Sequence, residues 1–396
     1  MSSPNENLPQ KEETEWSLPS HVIPEILLKL PVRSLMRFKT VSKEWNLNIC
    51  NPKFVPKHYE NQLRITPQKK IFRCYNNTTN KVLYYIHSGG VIKSENFTPL
   101  PNDEKFSQTE RTTYLRKVGS HNGILCFYYP TYDHKSKLIL WNPSLQESRC
   151  IDIGPKDRKI HMLGFGYDSG TKDYKAVNFR YSHDSPLFVD LYSLRKEKWR
   201  YNNSPNNYSL LPYKLVKFVW RSLNLEGGNK IHWLVFFEDN NRDVFRSILF
   251  FDVRENSVGL IALPESLAVV ADDSDVSLAY CVDDRDGLLT LFEYKNDGLM
   301  SFCCNVWMLK TDSIDYTWTK LEFSINLDRK FKALGFLSKY IILVISGDKK
   351  ILFDTRTQHK HFIQIGDGDI WILSYVGTYM ENIITLPKYD KKTNPN

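Results

Sequence analysis

Residues 138–151 read LILWNPSLQESRCI: an apolar run, a turn built on Asn142 and Pro143, then a second run heading back. Asn bonds its own backbone and Pro fixes φ, so the two runs read as a β-hairpin. The layout returns at FVDLYSLRKEKWRY (188–201), ILFFDVRENSVGLIALP (248–264), CCNVWMLKTDSIDYTWTKLE (303–322) and KILFDTRTQHKHFIQI (350–365). A weaker copy, VLYYIHSGGVIKSENFTPLP, covers 82–101. With Tyr84, Trp141, Tyr192, Phe251, Trp307 and Phe353 as anchors, the spacings are about 57, 51, 59, 56 and 46 residues, a period that suits propeller blades. Companion strands such as GSHNGILCFYY, NKIHWLVFF and ALGFLSKYIILVI lie between the anchors. A single small sheet leaves both faces bare, whereas radially stacked sheets cover one another and expose only short edges. The expectation is therefore an all-β domain over residues 81–388, a β-propeller of about six divergent blades, with Trp199 and Trp318 wedged between neighbouring sheets. A pair of β-sandwiches is the competing architecture.

Upstream the period changes. In SLPSHVIPEILLKLPVRSLMRFKTVSKEW (17–45), Ser20 offers an N-cap, and Val22, Ile23, Ile26, Leu27 and Leu30 share one side of a helix that Pro31 ends. Pro24 lies later than the position where proline is free, which predicts a late start or a bend. Ser34 opens a second helix carrying Leu35, Phe38 and Val41, and Ser42 a third carrying Trp45 and Ile49, stopped at Asn51–Pro52. Leu28 falls opposite the stripe, and Leu18 and Pro19 precede the helix. The fold class is thus α+β, a three-helix head over residues 16–60 followed by the β domain. The expected tails are 1–15 and 389–396, with a linker over 61–80 that packs on the propeller. About 40 residues bury too little surface to be stable alone, so the head needs a second surface to complete its core.

The bulk properties narrow the function. The 396 residues carry 53 Lys and Arg against 45 Asp and Glu, a net charge of +8. Residues 17–60 hold +4 and residues 265–286 hold −6. No recognition helix or basic stripe with interleaved aromatics accompanies the excess, which argues against nucleic acid. The amino-terminal stretch shows no apolar h-region, and no run is long enough to span a bilayer. Seven cysteines without a C-x-x-C pair indicate reduced thiols and neither a zinc nor a redox motif. No metal or other cofactor is expected, and the compartment implied is the cytoplasm, the nucleus or both.

Candidate chemistry is sparse. His121 in HNG has no Ser or Cys nucleophile motif beside it and reads as a turn residue. GFGYDSGTKDY lacks the following helix that a phosphate cradle needs. Cys303 and Cys304 alternate across a strand. The acidic stretch ADDSDVSLAYCVDDRDG (271–287) departs from calcium-loop spacing and reads as loop, strand and turn. Its Asp272, Asp273 and Asp275 form a candidate target-facing acidic loop that steers a basic partner.

The head resembles an F-box, the motif that docks substrate receptors onto the Skp-type adaptor of cullin-RING ubiquitin ligases. The resemblance rests on Leu18–Pro19, IPEILLKLPVRSL from Ile23, RFKTVSKEW from Arg37 and NPKFVPKH from Asn51; Asn48 departs from the usual pattern. It implies that Leu18, Pro19, Ile26, Leu30, Pro31 and Leu35 form or support the adaptor-facing surface, while Phe38, Val41 and Trp45 pack the helices. The β region resembles the F-box-associated, kelch-like domain of plant F-box proteins through GSHNGILCF, LWNPSLQESR, LGFGYDSGTKDYKAV, VDLYSLRKEKWR and the paired tryptophans from Trp307. Together they imply a non-catalytic substrate receptor of a ligase of the Skp–cullin–F-box (SCF) type, bridging the adaptor to an unidentified protein target. The rivals are a propeller lectin or enzyme with an incidental helical head, and an F-box scaffold that assembles no ligase.

Overall fold

The computed structural model describes residues 22–66, 69–76, 81–87, 97–99, 115–130, 136–153, 160–182, 185–201, 214–218, 223–224, 228–269, 275–280, 289–296, 302–311, 316–363 and 371–386. The chain divides after Ile65 into two compact units.

The first unit holds α1 (Val22–Lys29), α2 (Val32–Phe38), α3 (Lys43–Cys50) and α4 (Phe54–Ile65). Helix α4 is an addition to the three-helix expectation, and it occupies the start of the segment read as linker. Pro24 sits in the first turn of α1, where backbone N–H groups have no intrahelical acceptor, so the helix tolerates it. Pro31 caps α2, and the Ser42 side chain accepts a hydrogen bond from Trp45 N at 3.1 Å to start α3. Leu27, Val32, Leu35, Ile49 and Phe54 are buried, and Phe38 meets Trp45 edge to face at 5.0 Å.

The second unit is a six-bladed propeller of antiparallel sheets. Blade 1 contains β1 (Lys69–Asn76), β2 (Lys81–His87) and β3 (Phe97–Pro99). Blade 2 is β4 (Arg116–His121), β5 (Ile124–Tyr129), β6 (Lys137–Asn142) and β7 (Glu147–Asp152). Blade 3 is β8 (Ile160–Asp168), β9 (Asp173–Ser182), β10 (Ser185–Ser193) and β11 (Lys198–Arg200). Blade 4 has β12 (Lys214–Phe218), the short β13 (Leu223–Asn224), β14 (Lys230–Glu238), β15 (Val244–Asp252) and β16 (Ser257–Ala262), followed by one turn of helix, α5 (Glu265–Ala268). Blade 5 is β17 (Asp275–Tyr280), β18 (Leu289–Asn296), β19 (Phe302–Thr311) and β20 (Tyr316–Leu327). Blade 6 is β21 (Lys332–Ser338), β22 (Ile341–Ser346), β23 (Lys349–Asp354) and β24 (Lys360–Ile363).

The last strand, β25 (Trp371–Tyr379), pairs with β1 and completes blade 1 in the order β25-β1-β2-β3. Blade 1 is therefore shared between the two ends of the domain. The segment 61–80, expected as a linker, supplies the close of α4 and all of β1 instead.

Alternation along each strand puts successive side chains on opposite faces. Leu125 and Phe127 join Ile71, Tyr84 and Trp141 between blades 1 and 2, while Ile124 and Cys126 join Leu163, Phe165 and Ala176 between blades 2 and 3. Comparable apolar clusters fill the remaining seams, including the one between blades 6 and 1, so the ring is closed. The turns repeat as well. Asn142, Asp252 and Asp354 each accept a hydrogen bond from the backbone N–H two residues on, and Gln146, Asn256 and Gln358 follow four residues later with positive φ. In blade 3 Ser193 takes the polar position, with Glu197 at positive φ.

Trp199 on β11 donates to Asp152 O at the end of β7, at 2.8 Å, and Trp318 on β20 donates to Ala262 O at the end of β16, at 2.9 Å. Both indoles thus bridge from one outer strand to the preceding blade, as expected from the sequence. In blade 6 Lys360 takes this role and reaches Asn326 O at 2.8 Å.

Candidate functional site

Helical propensity and proline placement set the first candidate surface, on α1 to α4. Ile26 is 40% exposed, Leu30 is half-buried and Pro31 is exposed, all at or near the junction of α1 and α2. Leu35 is fully buried, so it supports that surface from beneath rather than lying on it. Phe38 and Trp45 pack on each other. Val41, expected among the packing residues, is 62% exposed, because it follows the end of α2 in the turn before α3. Leu18 and Pro19 lie outside the described residues.

Ten large apolar side chains are exposed among the described residues. Ile26, Val41, Leu47, Leu63 and Ile65 belong to the helical unit, and Tyr201, Val244, Val269, Tyr340 and Phe362 to the propeller. Half of them therefore fall in a stretch of about 45 residues, whereas scattered single exposures would follow length.

The junction itself is fastened from α4. His58 Nε2 donates to Leu30 O at 2.8 Å, Asn61 Nδ2 to Leu28 O at 2.9 Å, and Gln62 Nε2 to both carbonyls at 3.3 and 3.4 Å. His58 is fully buried and stacks on Phe54; burial holds it below the usual histidine range, against the pull of its Leu30 hydrogen bond. No apolar periodicity announces these three residues.

In the propeller, the motifs singled out in the sequence turn out to hold the ring. Asn122 and Gly123 both have positive φ, as a two-residue hairpin of this hand requires. A Cβ on Gly123 would stand 2.1 Å from Met380 O, so the chain after β25 passes directly over this turn. Asn382 is buried there. Its Nδ2 donates to Asn122 O, and its Oδ1 accepts from Asn142 Nδ2 and from Ile384 N. Asn142 also donates to Ile384 O, Ser144 Oγ lies 2.5 Å from Tyr379 OH, and Glu147 accepts from Leu386 N. The segment 380–386 is thus a strap from blade 1 across the turns of blade 2, and Glu381 pairs with Lys69 at the start of β1.

Residues with chemical potential are similarly engaged. His121 is buried against Tyr167, and desolvation brings its pKa down to about 4, which keeps it neutral. Asp168, in the GYDSGTKDY motif, feels burial pushing its pKa up, but bonds from Lys175 and Thr171 prevail and bring it down to about 2. Lys175 continues to Val253 O and so ties blade 3 to blade 4. Burial pushes the Cys74 thiol up to about 12, against the smaller pull of Lys350 and Arg73, and raises Cys126 and Cys304 as well. These thiols pack rather than ionise. Asp275 opens β17, while Asp272 and Asp273 lie outside the described residues.

The F-box domain family model matches residues 16–57, and the model described as F-box associated beta propeller domain matches residues 90–384. The chain is 23% identical to F-box protein CPR1 of Arabidopsis thaliana over 378 residues, which covers 89% of this chain and 85% of that protein. An F-box/LRR-repeat/kelch-repeat protein of the same plant is 25% identical over 366 residues, 90% of this chain and 91% of the relative. An F-box/kelch-repeat protein is 28% identical over 243 residues, 59% of this chain and 65% of that protein. Among solved structures, TolB from Acinetobacter baumannii aligns with a TM-score of 0.45 and 7% identity, over 85% of this chain and 73% of the other. Both matched regions stop short of structural boundaries, since α4 continues to Ile65 and β1 begins at Lys69. With its helical head and its closed ring both matched, this chain belongs to the plant F-box proteins that carry an F-box-associated β-propeller.

Proposed function

We propose that this chain is the substrate-recognition subunit of an SCF-type ubiquitin ligase, binding a Skp-type adaptor through its helical unit and a protein target through its propeller. The observation that carries the proposal is the uneven apolar exposure. Among the described residues, the much longer propeller exposes Tyr201, Val244, Val269, Tyr340 and Phe362, while the short helical unit alone exposes Ile26, Val41, Leu47, Leu63 and Ile65. A small helical unit with that much apolar surface outside is stabilised by a partner that removes it from water.

The connection between the units supports the reading. Only Thr66, Pro67 and Gln68 separate α4 from β1, a tether that extends to roughly 14 Å at most. A short tether holds target and adaptor at high effective concentration, so lysines of the target remain near a ubiquitin-loaded conjugating enzyme without any acid, base or nucleophile from this chain. Activity of this kind belongs in the cytoplasm or nucleus. The −6 charge of residues 265–286, including Asp272, Asp273 and Asp275, is proposed to steer a basic target toward the propeller. Reversing these three charges is expected to slow target association; an unchanged rate removes the acidic segment from the scheme.

The test of the adaptor role is capture of a recombinant Skp-type adaptor and cullin by the full chain. Capture is expected for the native sequence. It is expected to fail when Leu30→Asp is combined with Leu18→Ala and Pro19→Ala, with the propeller's thermal transition unmoved. Retention of the adaptor by that variant would reject the docking surface.

A further inference from the structure

Pro31 breaks the α1–α2 path at a defined place and leaves two carbonyls without helical donors. In a continuous helix, Val32 N would serve Leu28 O and Ser34 N would serve Leu30 O. Here Pro31 O instead receives the hydrogen bonds of both Ser34 N and Leu35 N, and Leu30 N turns back to Leu27 O. The peptide oxygens of Leu28 and Leu30 are therefore orphaned beside a buried core, where an unmet acceptor is costly.

Helix α4 meets that need. Phe54, His58 and Gln62 recur every four residues on one stripe, and all three are buried. Two of the three are polar, on a face that packing alone would make apolar. Their hydrogen-bond groups, with Asn61, converge on the two orphaned oxygens from 28 to 34 residues away in sequence. A stripe that served only to fill space would not place three donors on two acceptors.

We infer that His58, Asn61 and Gln62 are positioning residues for adaptor docking, so that the docking unit runs through α4 to Ile65 and does not end at residue 57, where the F-box match stops. They touch the backbone of the α1–α2 junction, and the junction presents Ile26, Leu30 and Pro31. Without the clamp the two carbonyls recruit water, the angle between α1 and α2 is set less sharply, and those three side chains no longer share one fixed geometry. This rests on the adaptor reading above.

The experiment titrates the full chain with a recombinant Skp-type adaptor while amide hydrogen exchange reports on α2 and α3. Asn61→Ala with Gln62→Ala is expected to weaken binding about fivefold or more and to leave exchange protection in α2 and α3 at native levels. His58→Gln, which keeps an amide donor within reach of Leu30 O, is expected to bind more tightly than His58→Ala. A merely structural role would not separate those two in affinity while protection stays level. If the double variant loses protection, the single Asn61→Ala variant decides. Weaker binding with native protection upholds the clamp, and native affinity overturns it. Native affinity in the double variant also overturns it and leaves the adaptor reading standing. Failure of the unaltered chain to bind the adaptor at all overturns both.

Discussion

The helical unit and the propeller solve the same problem in opposite ways. The propeller wraps its sheets until the last seam meets the first, and each seam holds a cluster of buried apolar residues. The helical unit buries Leu27, Val32, Leu35 and Ile49, yet leaves a comparable number of apolar side chains in water. Closure covers the seams of the first, and its absence leaves the second with apolar surface in water, the surface that the proposed adaptor would cover.

The sharpest way to break this contrast is to open the ring. Ending the chain after Tyr379 removes Met380, Ile383 and Leu386, all buried, along with the Asn382 bonds that join blades 1 and 2. Burying three such side chains contributes about 1.5–3 kcal/mol each, so the truncated propeller is expected to lose about 5 kcal/mol or more. Denaturant unfolding followed by tryptophan fluorescence checks this. A midpoint equal to that of the full chain would mean that β1–β25 pairing alone closes the ring.

Next in size is acidification. The unfolded His121 takes up a proton near pH 6.5, while the folded one resists until about 4. The unfolded state therefore binds more protons in this interval, and stability falls as pH drops. At 1.36 kcal/mol per pKa unit the loss reaches about 3 kcal/mol by pH 4, with the contribution fully present above 6.5. Replacement by a residue that does not titrate, His121→Gln, is expected to flatten the stability profile between pH 6.5 and 4.5. An unchanged slope would place the titrating group elsewhere. In the helical unit His58 is shifted in the same direction by burial, so its separate transition is expected to weaken with acid as well.

Gly123 offers a narrower probe of the strap. It has a φ of +75°, and a side chain there meets the Met380 carbonyl and the Asn382 amide. Gly123→Ala is expected to destabilise the propeller by about 2 kcal/mol, through left-handed strain and displacement of backbone. Measured in the chain truncated after Tyr379, the same substitution is expected to have a smaller effect, since the clash has gone. Equal effects in both backgrounds would uncouple the turn from the strap.

What sequence reading reached and missed follows the range of the physical signal. The hairpin anchors were legible because each is local: a period of two, a turn residue such as Asn142 or Asp354, and an aromatic such as Trp199 that reaches back to the preceding blade. The strap was not legible, since Asn382 meets Asn142 across 240 residues of sequence, and MENIITL by itself has no distinctive pattern. Strand β1 was hidden by its basic surroundings and read as linker, although Ile71, Phe72 and Cys74 are core. Helix α4 escaped because its buried stripe carries His58 and Gln62 in place of aliphatic residues. Sequence pattern also could not say that Leu35 lies beneath the candidate surface while Val41 lies outside it; that depends on where α2 ends.

The smallest stability effect expected is the most telling about division of labour. Leu47 is 72% exposed on α3 and Val41 62% exposed in the preceding turn. Changing each to Ser removes apolar surface that water already touches, so the folding stability of the helical unit is expected to move by less than about 0.5 kcal/mol. Leu35→Ala, only a few residues away but fully buried, is expected to destabilise the same unit by about 3 kcal/mol. Circular dichroism melts of the full chain, read at the helical band, check both. If Leu47→Ser and Val41→Ser proved as damaging as Leu35→Ala, those side chains would belong to the unit's own core, and the contrast between an open helical surface and a closed ring would fail.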